Sequence, residues 1–430
     1  MNNKIGIIAD DFTGANDSGV QLALKGLRSS VILDLKEEGN LQNQDVLIID
    51  TNSRALATKE AGAAVKKAAL MLQSLGYQCI YKKVDSTLRG NIRAELEAIE
   101  DVYQPELIVI APALPKMGRT TKSGYHYVNG TLISKSEFGK DPKTPVTESY
   151  IPHLLFKDSG RKATVLSEDV LHGTEVEFLQ QIDDYLKQAI SWIVCDVERE
   201  SDFQMILERF IMTGKRIVWA GSAGLIEYLP EVLQLKGKTI HNSPPVIGKT
   251  LTVSGSLSKT TNLQLEEASH LKDVFAIKLD VRKLLQPNLE TSSILKEIKA
   301  HSHARHYMVY VEANEENRKI AQHEGAKQGL SQIEISERIA NSLGTVAKDI
   351  CNQNQSINGL ILTGGDTAKA VCSILGINEM ELVSEIEPGL PFGRLIGYEK
   401  DLWAVTKAGG FGNNESLKNA MHFMTRMCEH

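Results

Sequence analysis

The chain alternates short apolar runs with amphipathic stretches through most of its length. In the N-terminal half the apolar runs are KIGIIA, SVILDL, DVLIID, QCIYKKV and ELIVIAPA, and stretches such as KEAGAAVKKAALMLQSLG lie between several of them. Apolar runs of about four to eight residues that alternate with helices are typical of βαβ units and a parallel sheet. The pattern therefore predicts an α/β fold.

A second series of the same kind follows a break near Lys236. The segment KGKTIHNSPPVIGKT contains Pro244 and Pro245, several polar residues and no periodicity, so it is predicted to be a linker. The later apolar runs are TLTVSGSLS, VFAIKLD, HYMVYVEA, NGLILTGGDTA and DLWAVTKAGGFG. We therefore expect two α/β domains with mainly parallel sheets, residues 1–235 and 246–430. An active site is expected in the cleft between them, since ligands commonly bind between domains.

Two local patterns add detail to this prediction. The dipeptide Asn129-Gly130 inside YHYVNGTLIS is a hairpin signal, so a two-stranded excursion is expected there. The stretch ISERIANSLGTVAKDICNQ has apolar residues at helical spacing and predicts a long helix.

Composition narrows the classes of partner. The 430 residues carry a formal net charge of -6 and a sequence pI of about 6.0, which argues against a nucleic-acid partner. No run approaches the roughly 18 apolar residues of a membrane span. The N-terminal apolar run is short and is followed by acids rather than by a cleavage site. A cytoplasmic protein without a membrane or nucleic-acid partner is expected.

The strand ends of the N-terminal half carry charges of both signs. Open α/β sheets bind ligands at the carboxyl ends of their strands. Here those positions hold cations that suit a carboxylate or phosphate, and carboxylates that accept hydrogen bonds from hydroxyls. The predicted set is Asp10, Asp11, Arg54, Lys82, Lys83, Asp85, Ser86 and Arg89. Such a pocket suits a small polyhydroxy acid.

The strand ends of the C-terminal half are instead rich in Gly, Ser and Thr. Glycine lets backbone N–H groups approach an anion, and a helix that begins at Thr367 adds its positive end. Neither a GxxxxGK[ST] loop nor GxGxxG is present. The candidate nucleotide-binding residues are Ser254, Ser256, Gly364, Gly365, Asp366, Thr367 and Gly409.

Together the two halves predict a bi-substrate layout for phosphoryl transfer, which depends on positioning and on neutralising oxygen charge. Mg²⁺ is the expected helper, held by few carboxylates and by the phosphates of the nucleotide. The residues leave its protein ligands unassigned.

Eight motifs occur in the order of a known family: ADDFTGANDSGVQLA, KKVDSTLRGNI, APALPKMGRTT, GYHYVNG, SEFGKDPKTPV, VSGSLS, TGGDTA and KAGGFG. From Ile5 to Gly412 the chain resembles the four-carbon acid sugar kinase family. The resemblance implies ATP-dependent phosphorylation of the terminal hydroxyl of D-threonate, D-erythronate or 3-oxo-tetronate, and an N-terminal sugar-acid domain followed by a nucleotide domain. The GRTT…GYHYVNG and KDPKTPV segments are most similar to the D-threonate kinase branch.

The resemblance also implies residue roles. Substrate contacts are expected from Asp10, Asp11, Arg54 and residues 82–86, and ATP contacts from Ser254, Ser256, residues 364–367 and Gly409. One local departure is Lys259, which stands where the family often has proline.

Several alternatives stay open at this point. The candidates for the general base are Asp10, Asp11 and Asp85 on the sugar side, with Asp10 or Asp11 favoured, and Asp366 near the nucleotide. The sequence does not show which carboxylate reaches the reacting hydroxyl. His126 either lines the substrate or makes a structural hydrogen bond. A dehydrogenase and a non-catalytic binding protein are the rival classes, and a homodimer is left open.

Overall fold

A computed structural model describes residues 4–34, 44–141, 144–157, 159–235, 237 and 245–426. The chain divides into two compact units, Met1–Ser30 with Glu38–Lys238 and Val31–Glu37 with Thr239–His430. Most of the predicted linker lies outside the described residues. The short segment that begins at Val31 belongs to the second unit, where the Leu33 N–H donates to the Asn378 carbonyl at 2.8 Å.

The first unit alternates strands and helices as the apolar pattern predicts. Its strands are β1 (Ile5–Ala9), β2 (Ser29–Ile32), β3 (Val46–Asp50), β4 (Cys79–Lys83), β5 (Leu107–Ala111), β6 (Arg119–Lys122), β7 (Tyr125–Val128), β8 (Thr131–Leu132), β9 (Ala163–Leu166), β10 (Trp192–Cys195) and β11 (Ile217–Gly221). Its helices are α1 (Phe12–Leu24), α2 (Thr58–Ser74), α3 (Ile92–Tyr103), α4 (Ile151–Phe156), α5 (Glu168–His172), α6 (Glu175–Lys187), α7 (Glu200–Met212) and α8 (Ala223–Val232).

The main sheet of this unit has the strand order β2-β3-β1-β4-β11-β5-β10-β9, and β2 is divided between the two units after Ser30. The pairs from β3 to β9 are parallel. Strands β1, β3 and β5 are buried along their whole length, which explains their continuous apolar sequences.

A separate small sheet, β6-β7-β8, contains the predicted hairpin. Val128 pairs with Thr131 across a two-residue turn in which Asn129 and Gly130 both have positive φ, 48° and 77°. This is the conformation that favours Asn-Gly, so the prediction is confirmed.

The second unit continues the alternation. Its strands are β12 (Lys249–Ser254), β13 (Val274–Lys278), β14 (His306–Tyr310), β15 (Ile357–Thr363), β16 (Glu379–Glu385), β17 (Pro391–Ile396) and β18 (Leu402–Lys407). Its helices are α9 (Lys259–Ser269), α10 (Val281–Leu284), α11 (Ser292–Ala300), α12 (Glu315–Lys327), α13 (Gln332–Gln353), α14 (Gly365–Leu375) and α15 (Ser416–Arg426).

The strand order of the second unit is β13-β14-β12-β15-β18-β17-β16. Its first five strands are parallel, whereas β17 is antiparallel to both neighbours. The sequence did not predict β16 and β17, because their alternation of buried and partly exposed residues is weaker than a continuous apolar run. The mainly parallel α/β fold is confirmed.

The long predicted helix is α13, which begins with a capping box between Ser331 and Glu334. Helix α9 begins at Lys259, with Ser258 in the cap position. Proline is favoured at a first helical position but is not required there, so the lysine leaves the helix start intact. Among the described residues, no helix combines the length and the apolar character that a membrane crossing requires.

Candidate active site

The charged strand ends of the first unit meet at one edge of its sheet. Ala9 is in register with Asp50 on one side and with Lys83 on the other, and Lys83 is in register with Gly221. The loops that follow β1, β3 and β4 therefore leave the sheet at the same level. This register brings Asp10, Asp11 and Arg54 together.

Arg54 binds both adjacent carboxylates. Its Nε and Nη2 atoms donate to the two oxygens of Asp10 at 2.7 and 2.9 Å, and Nη1 and Nη2 donate to Asp11 at 3.0 and 2.8 Å. The planar guanidinium thus bridges two carboxylates, and its single positive charge reduces the repulsion between them. Asp11 also caps helix α1 by accepting from the Gly14 N–H at 3.0 Å.

The two carboxylates differ in their protonation equilibria. Burial opposes ionisation of Asp10, but Arg54 together with Lys82 and Lys83 outweighs it and lowers the pKa of Asp10. Burial raises the pKa of Asp11, Arg54 opposes the rise, and the neighbouring Asp10 charge adds to it. The side chain of Asp10 is 2% exposed and that of Asp11 is 25% exposed. Asp11 is therefore the more basic and more accessible of the pair.

The two lysines of β4 have different surroundings. Lys82 is fully buried and pairs with Glu95 of α3 at 2.9 Å, while Glu95 also accepts from the Ser53 hydroxyl at 2.5 Å. Lys82 thereby ties β4 to the loop after β3. The Lys83 ammonium donates to the Val84 carbonyl at 3.0 Å and lies so close to Gly14 that a Cβ there would be 2.8 Å from its Nζ. Lys83 is the lysine that lies beside the start of α1.

Asp85 forms a second ion pair in the loop after β4. It accepts from Arg89 Nε at 2.5 Å and from the Thr87 hydroxyl, while Arg89 also reaches Asp141 at 3.3 Å. Burial opposes ionisation of Asp85, but Arg54 and Arg89 outweigh it and hold its pKa far below the usual range. The carboxylate is therefore ionised and committed to its partners at neutral pH.

A groove of about 910 Å³ opens beside these residues within the first unit. Its lining includes Arg54, Arg89, the first turn of α3 and the segment that contains His153 and Lys157, together with the acids Glu97 and Glu148. The basic lining suits an organic acid.

Each ring nitrogen of His126 makes one hydrogen bond within the protein. Nε2 lies 2.8 Å from the Ser86 carbonyl, so it donates, and Nδ1 accepts from the Thr121 hydroxyl at 3.0 Å. Burial lowers the pKa of His126 to about 4. The side chain therefore ties the hairpin to the loop that carries Asp85, which favours the structural alternative.

The Gly-rich loops of the second unit also leave one sheet edge together. Ser254 is in register with Thr363, and Thr363 with Lys407, so three neighbouring strands end at the same level. The Ser254 and Thr363 hydroxyls lie 3.2 Å apart. Helix α14 begins directly after Gly364, and Asp366 is exposed in its first turn.

These loops approach each other so closely that side chains would not fit. A Cβ on Gly409 would lie 2.4 Å from Ser256 Oγ, and one on Gly255 would lie 2.6 Å from Thr367 Oγ1. Gly364 has φ of 94°, which favours glycine. Open backbone next to hydroxyls and a helix N-terminus fits the phosphates of a nucleotide.

One residue near this site was missed from the sequence. Lys407, the last residue of β18, is 1% exposed and donates to the Ala408 carbonyl at 2.8 Å and to the Phe411 carbonyl at 3.2 Å. Burial lowers its pKa to about 8. A lysine placed at the end of an apolar strand and before AGGFG was the available signal.

Metal ligands are not evident from side chains alone. The part of the chain that the structure describes contains no group of three or more His, Cys, Asp or Glu residues placed to hold a metal ion. Few protein ligands are expected for Mg²⁺ when the nucleotide supplies phosphate oxygens.

Two protein-family models match the chain on either side of the predicted linker. Residues 5–229 match a sugar-binding N-terminal domain, and residues 251–417 match a nucleotide-binding C-terminal domain. A solved structure from Salmonella typhimurium LT2, described as a tRNA synthase, superposes with a TM-score of 0.84 at 24% identity and covers 98% of this chain and 100% of its own. It shows that the fold is shared.

Similar curated proteins are sugar-acid kinases. A D-threonate kinase of Salmonella typhimurium is 34% identical over 99% of both chains. A D-erythronate kinase of Heliobacterium modesticaldum is 29% identical over 99% of this chain and 97% of its own. A 3-oxo-tetronate kinase of Brucella melitensis is 30% identical over 95% and 93%.

The two family models and these relatives define a two-domain kinase, which excludes the dehydrogenase and the non-catalytic binding protein. The chain belongs to the four-carbon acid sugar kinase family.

The free energy of unfolding is expected to depend on pH through the buried His126. Its folded-state pKa of about 4 lies below the ordinary 6.5, so the unfolded chain binds the proton first as the pH falls. Its contribution to stability is complete above pH 6.5 and is lost as the pH falls toward 4, by about 2 kcal/mol at pH 5. His126→Gln, which keeps a donor for the Ser86 carbonyl, should reduce the loss of unfolding free energy between pH 7 and 5, measured by urea denaturation.

His306 titrates in the same window because burial also lowers its pKa to about 4. The measured quantity is therefore the difference between wild type and variant at each pH. His153→Gln is the matched control, at a side chain that is 61% exposed. It should leave the pH dependence of the unfolding free energy unchanged. Parallel pH profiles for wild type and His126→Gln would contradict the assignment.

Proposed function

We propose that this protein is an ATP-dependent kinase that transfers the γ-phosphoryl group to the terminal (4-) hydroxyl of a four-carbon sugar acid, with D-threonate as the preferred substrate. The observation that carries the proposal is the cluster in which Arg54 holds Asp10 and Asp11 at the end of β1. It lies in the part of the chain that matches a sugar-binding model, beside a groove with a basic lining.

The acceptor side has the chemistry that a hydroxylated acid needs. Arg54, Arg89, His153 and Lys157 line the groove, where the acid carboxylate is proposed to bind, and Lys83 lies beside the start of α1 as a further cation. Asp10, Asp11 and Ser86 supply hydrogen-bond acceptors for hydroxyls. Lys82 and Asp85 act mainly through their partners, because the structure commits Lys82 to Glu95 and Asp85 to Arg89.

The donor side is the set of Gly-rich loops. Ser254, Ser256, Gly364, Gly365, Thr367 and Gly409 are proposed to hold the ATP phosphates, and Asp366 lies beside them in the first turn of α14. A cavity of about 370 Å³, lined by Leu257, Asn314 and Arg318, adjoins the loop after β12 and provides room for the nucleoside. Mg²⁺, when bound with ATP, neutralises phosphate charge.

Asp11 is proposed as the general base. The oxygen of the terminal hydroxyl attacks the γ-phosphorus, the proton passes to the base, and the bond to ADP breaks. A base works best when its pKa is near the operating pH and when it is accessible to the substrate. Asp11 meets both conditions better than Asp10, because its pKa is raised and its side chain is 25% exposed, whereas the pKa of Asp10 is lowered and its side chain is 2% exposed.

We propose D-threonate rather than D-erythronate or 3-oxo-tetronate because of sequence identity to kinases of these three acids. The D-threonate kinase of Salmonella typhimurium is 34% identical, above the 29% and 30% of the D-erythronate and 3-oxo-tetronate kinases. These acids differ at one or two carbons, so few hydrogen bonds separate their binding.

Kinetics with a panel of acids tests the substrate. We expect ADP release with ATP and Mg²⁺ to give the highest kcat/KM for D-threonate among D-threonate, D-erythronate and 3-oxo-tetronate, and phosphorus NMR to place the phosphate on the terminal oxygen. The matched control is 4-deoxy-D-threonate, which lacks the acceptor hydroxyl and should release no ADP above background. Absence of turnover with every acid would overturn the kinase assignment to this substrate class.

Paired variants test the base. Asp11→Asn should lower kcat by about 10²- to 10⁴-fold with little change in the KM of the acid, because it removes the proton acceptor. Asp10→Asn is the matched variant on the same arginine. It should instead raise the KM of the acid. Arg54 would no longer be held by two hydrogen bonds to Asp10, so its guanidinium would be less well positioned at the groove.

Steady-state kinetics on folded protein, checked by circular dichroism, distinguishes these outcomes. Wild-type kcat in Asp11→Asn would exclude Asp11 as the base, and a loss of kcat confined to Asp10→Asn would transfer that role to Asp10.

A further inference from the structure

The ammonium of Lys407 lies under the Gly-rich loop that follows β18. Besides the Ala408 and Phe411 carbonyls, it reaches the Gly409 carbonyl at 3.4 Å and the Thr261 hydroxyl oxygen at 3.2 Å. All four partners are neutral oxygens. Among the described residues, no carboxylate forms an ion pair with this buried cation. Its positive charge is thus left unbalanced directly beneath the loop.

Helix α9 holds the same loop with two further side chains. The Thr261 hydroxyl donates to the Gly409 carbonyl at 2.7 Å. Gln264 Nε2 donates to the Phe411 carbonyl at 3.0 Å and to the Asn413 carbonyl at 2.7 Å. The carbonyls of this loop therefore point down toward Lys407 and α9.

The orientation of these carbonyls determines where the neighbouring N–H groups point. In a trans peptide the C=O of one residue and the N–H of the next point in opposite directions. With the carbonyls of Ala408, Gly409 and Phe411 turned inward, the N–H groups of Gly409, Gly410 and Gly412 point away from Lys407. None of these three N–H groups donates a hydrogen bond to another of the described residues. Gly410 and Gly412 are exposed.

We infer that Lys407 is a positioning residue for the nucleotide: it holds the loop 408–412 as a cradle of N–H donors for the phosphates and adds an unbalanced positive charge beneath it. The inference rests on the proposed function, whose phosphate-binding loops include Gly409. Backbone N–H groups that converge on an anion, together with a buried cation, are the elements of a phosphate site.

Lys407→Met tests the role because methionine keeps the apolar stem and removes the ammonium. By calorimetry, binding of ATP and of inorganic tripolyphosphate should weaken by about 10- to 100-fold, while binding of adenosine should be unchanged. In kinetic assays the KM for ATP should rise and the KM for the sugar acid should remain that of the wild type. Loss of a purely structural residue would not raise the KM for ATP while leaving the KM for the sugar acid unchanged.

Thr261→Val and Ser342→Ala complete the experiment. Thr261→Val removes one support of the loop and keeps the ammonium, so ATP and tripolyphosphate binding should weaken by about three- to tenfold. Ser342→Ala removes another buried hydroxyl of the second unit, which donates to the Leu284 carbonyl at 2.6 Å. It controls for general loss of stability and should leave ATP binding unchanged.

The results separate this inference from the function it rests on. Wild-type ATP binding in a folded Lys407→Met overturns the inference, as does equal weakening of adenosine and tripolyphosphate. If Lys407→Met fails to fold, unchanged tripolyphosphate binding in Thr261→Val overturns it. A wild-type protein that binds ATP but phosphorylates no sugar acid overturns only the proposed acceptor. A wild-type protein that binds neither ATP nor tripolyphosphate overturns both.

Discussion

The shared level at which neighbouring parallel strands end is the constraint on which both candidate sites depend. In the first unit Asp50, Ala9 and Lys83 are in register, and in the second Ser254, Thr363 and Lys407 are in register. Loops that are distant in the chain therefore leave the sheet side by side. Parallel hydrogen bonding sets this level, and helices packed on the strands keep it.

Buried charges are stabilised differently at the two sheet edges that carry the candidate sites. In the first unit Arg54 joins Asp10 and Asp11, and Arg89 joins Asp85, so these three carboxylates all lie in ion pairs. In the second unit the hydrogen bonds that Lys407 makes to other described residues all go to neutral oxygens. Paired charges give a rigid surface for reading hydroxyls and a carboxylate. A cation without a negative partner keeps its attraction for an anionic ligand.

Several features could be predicted from short segments because their causes are local. The Asn129-Gly130 turn depends on positive φ at two adjacent residues, and α13 depends on a capping box and helical spacing. The antiparallel β16 and β17 were missed, since partners distant from the local pattern stabilise them. Candidate residues after each strand could be named, but Lys82 and Lys83 could not be distinguished. Adjacent residues of a strand point to opposite faces, and only packing shows that the Lys82 side chain reaches Glu95.

By itself the sequence determined the α/β class, the two series of βαβ units, the family and the strand ends that carry charge or glycine, because these follow from periodicity and residue type. Tertiary structure decided which of those residues meet. It placed Arg54 on both Asp10 and Asp11, buried His126 between Thr121 and Ser86, and put Lys407 beneath a loop of carbonyls. The physical reason is that hydrogen bonds and ion pairs between distant segments depend on register and burial, which no local pattern contains.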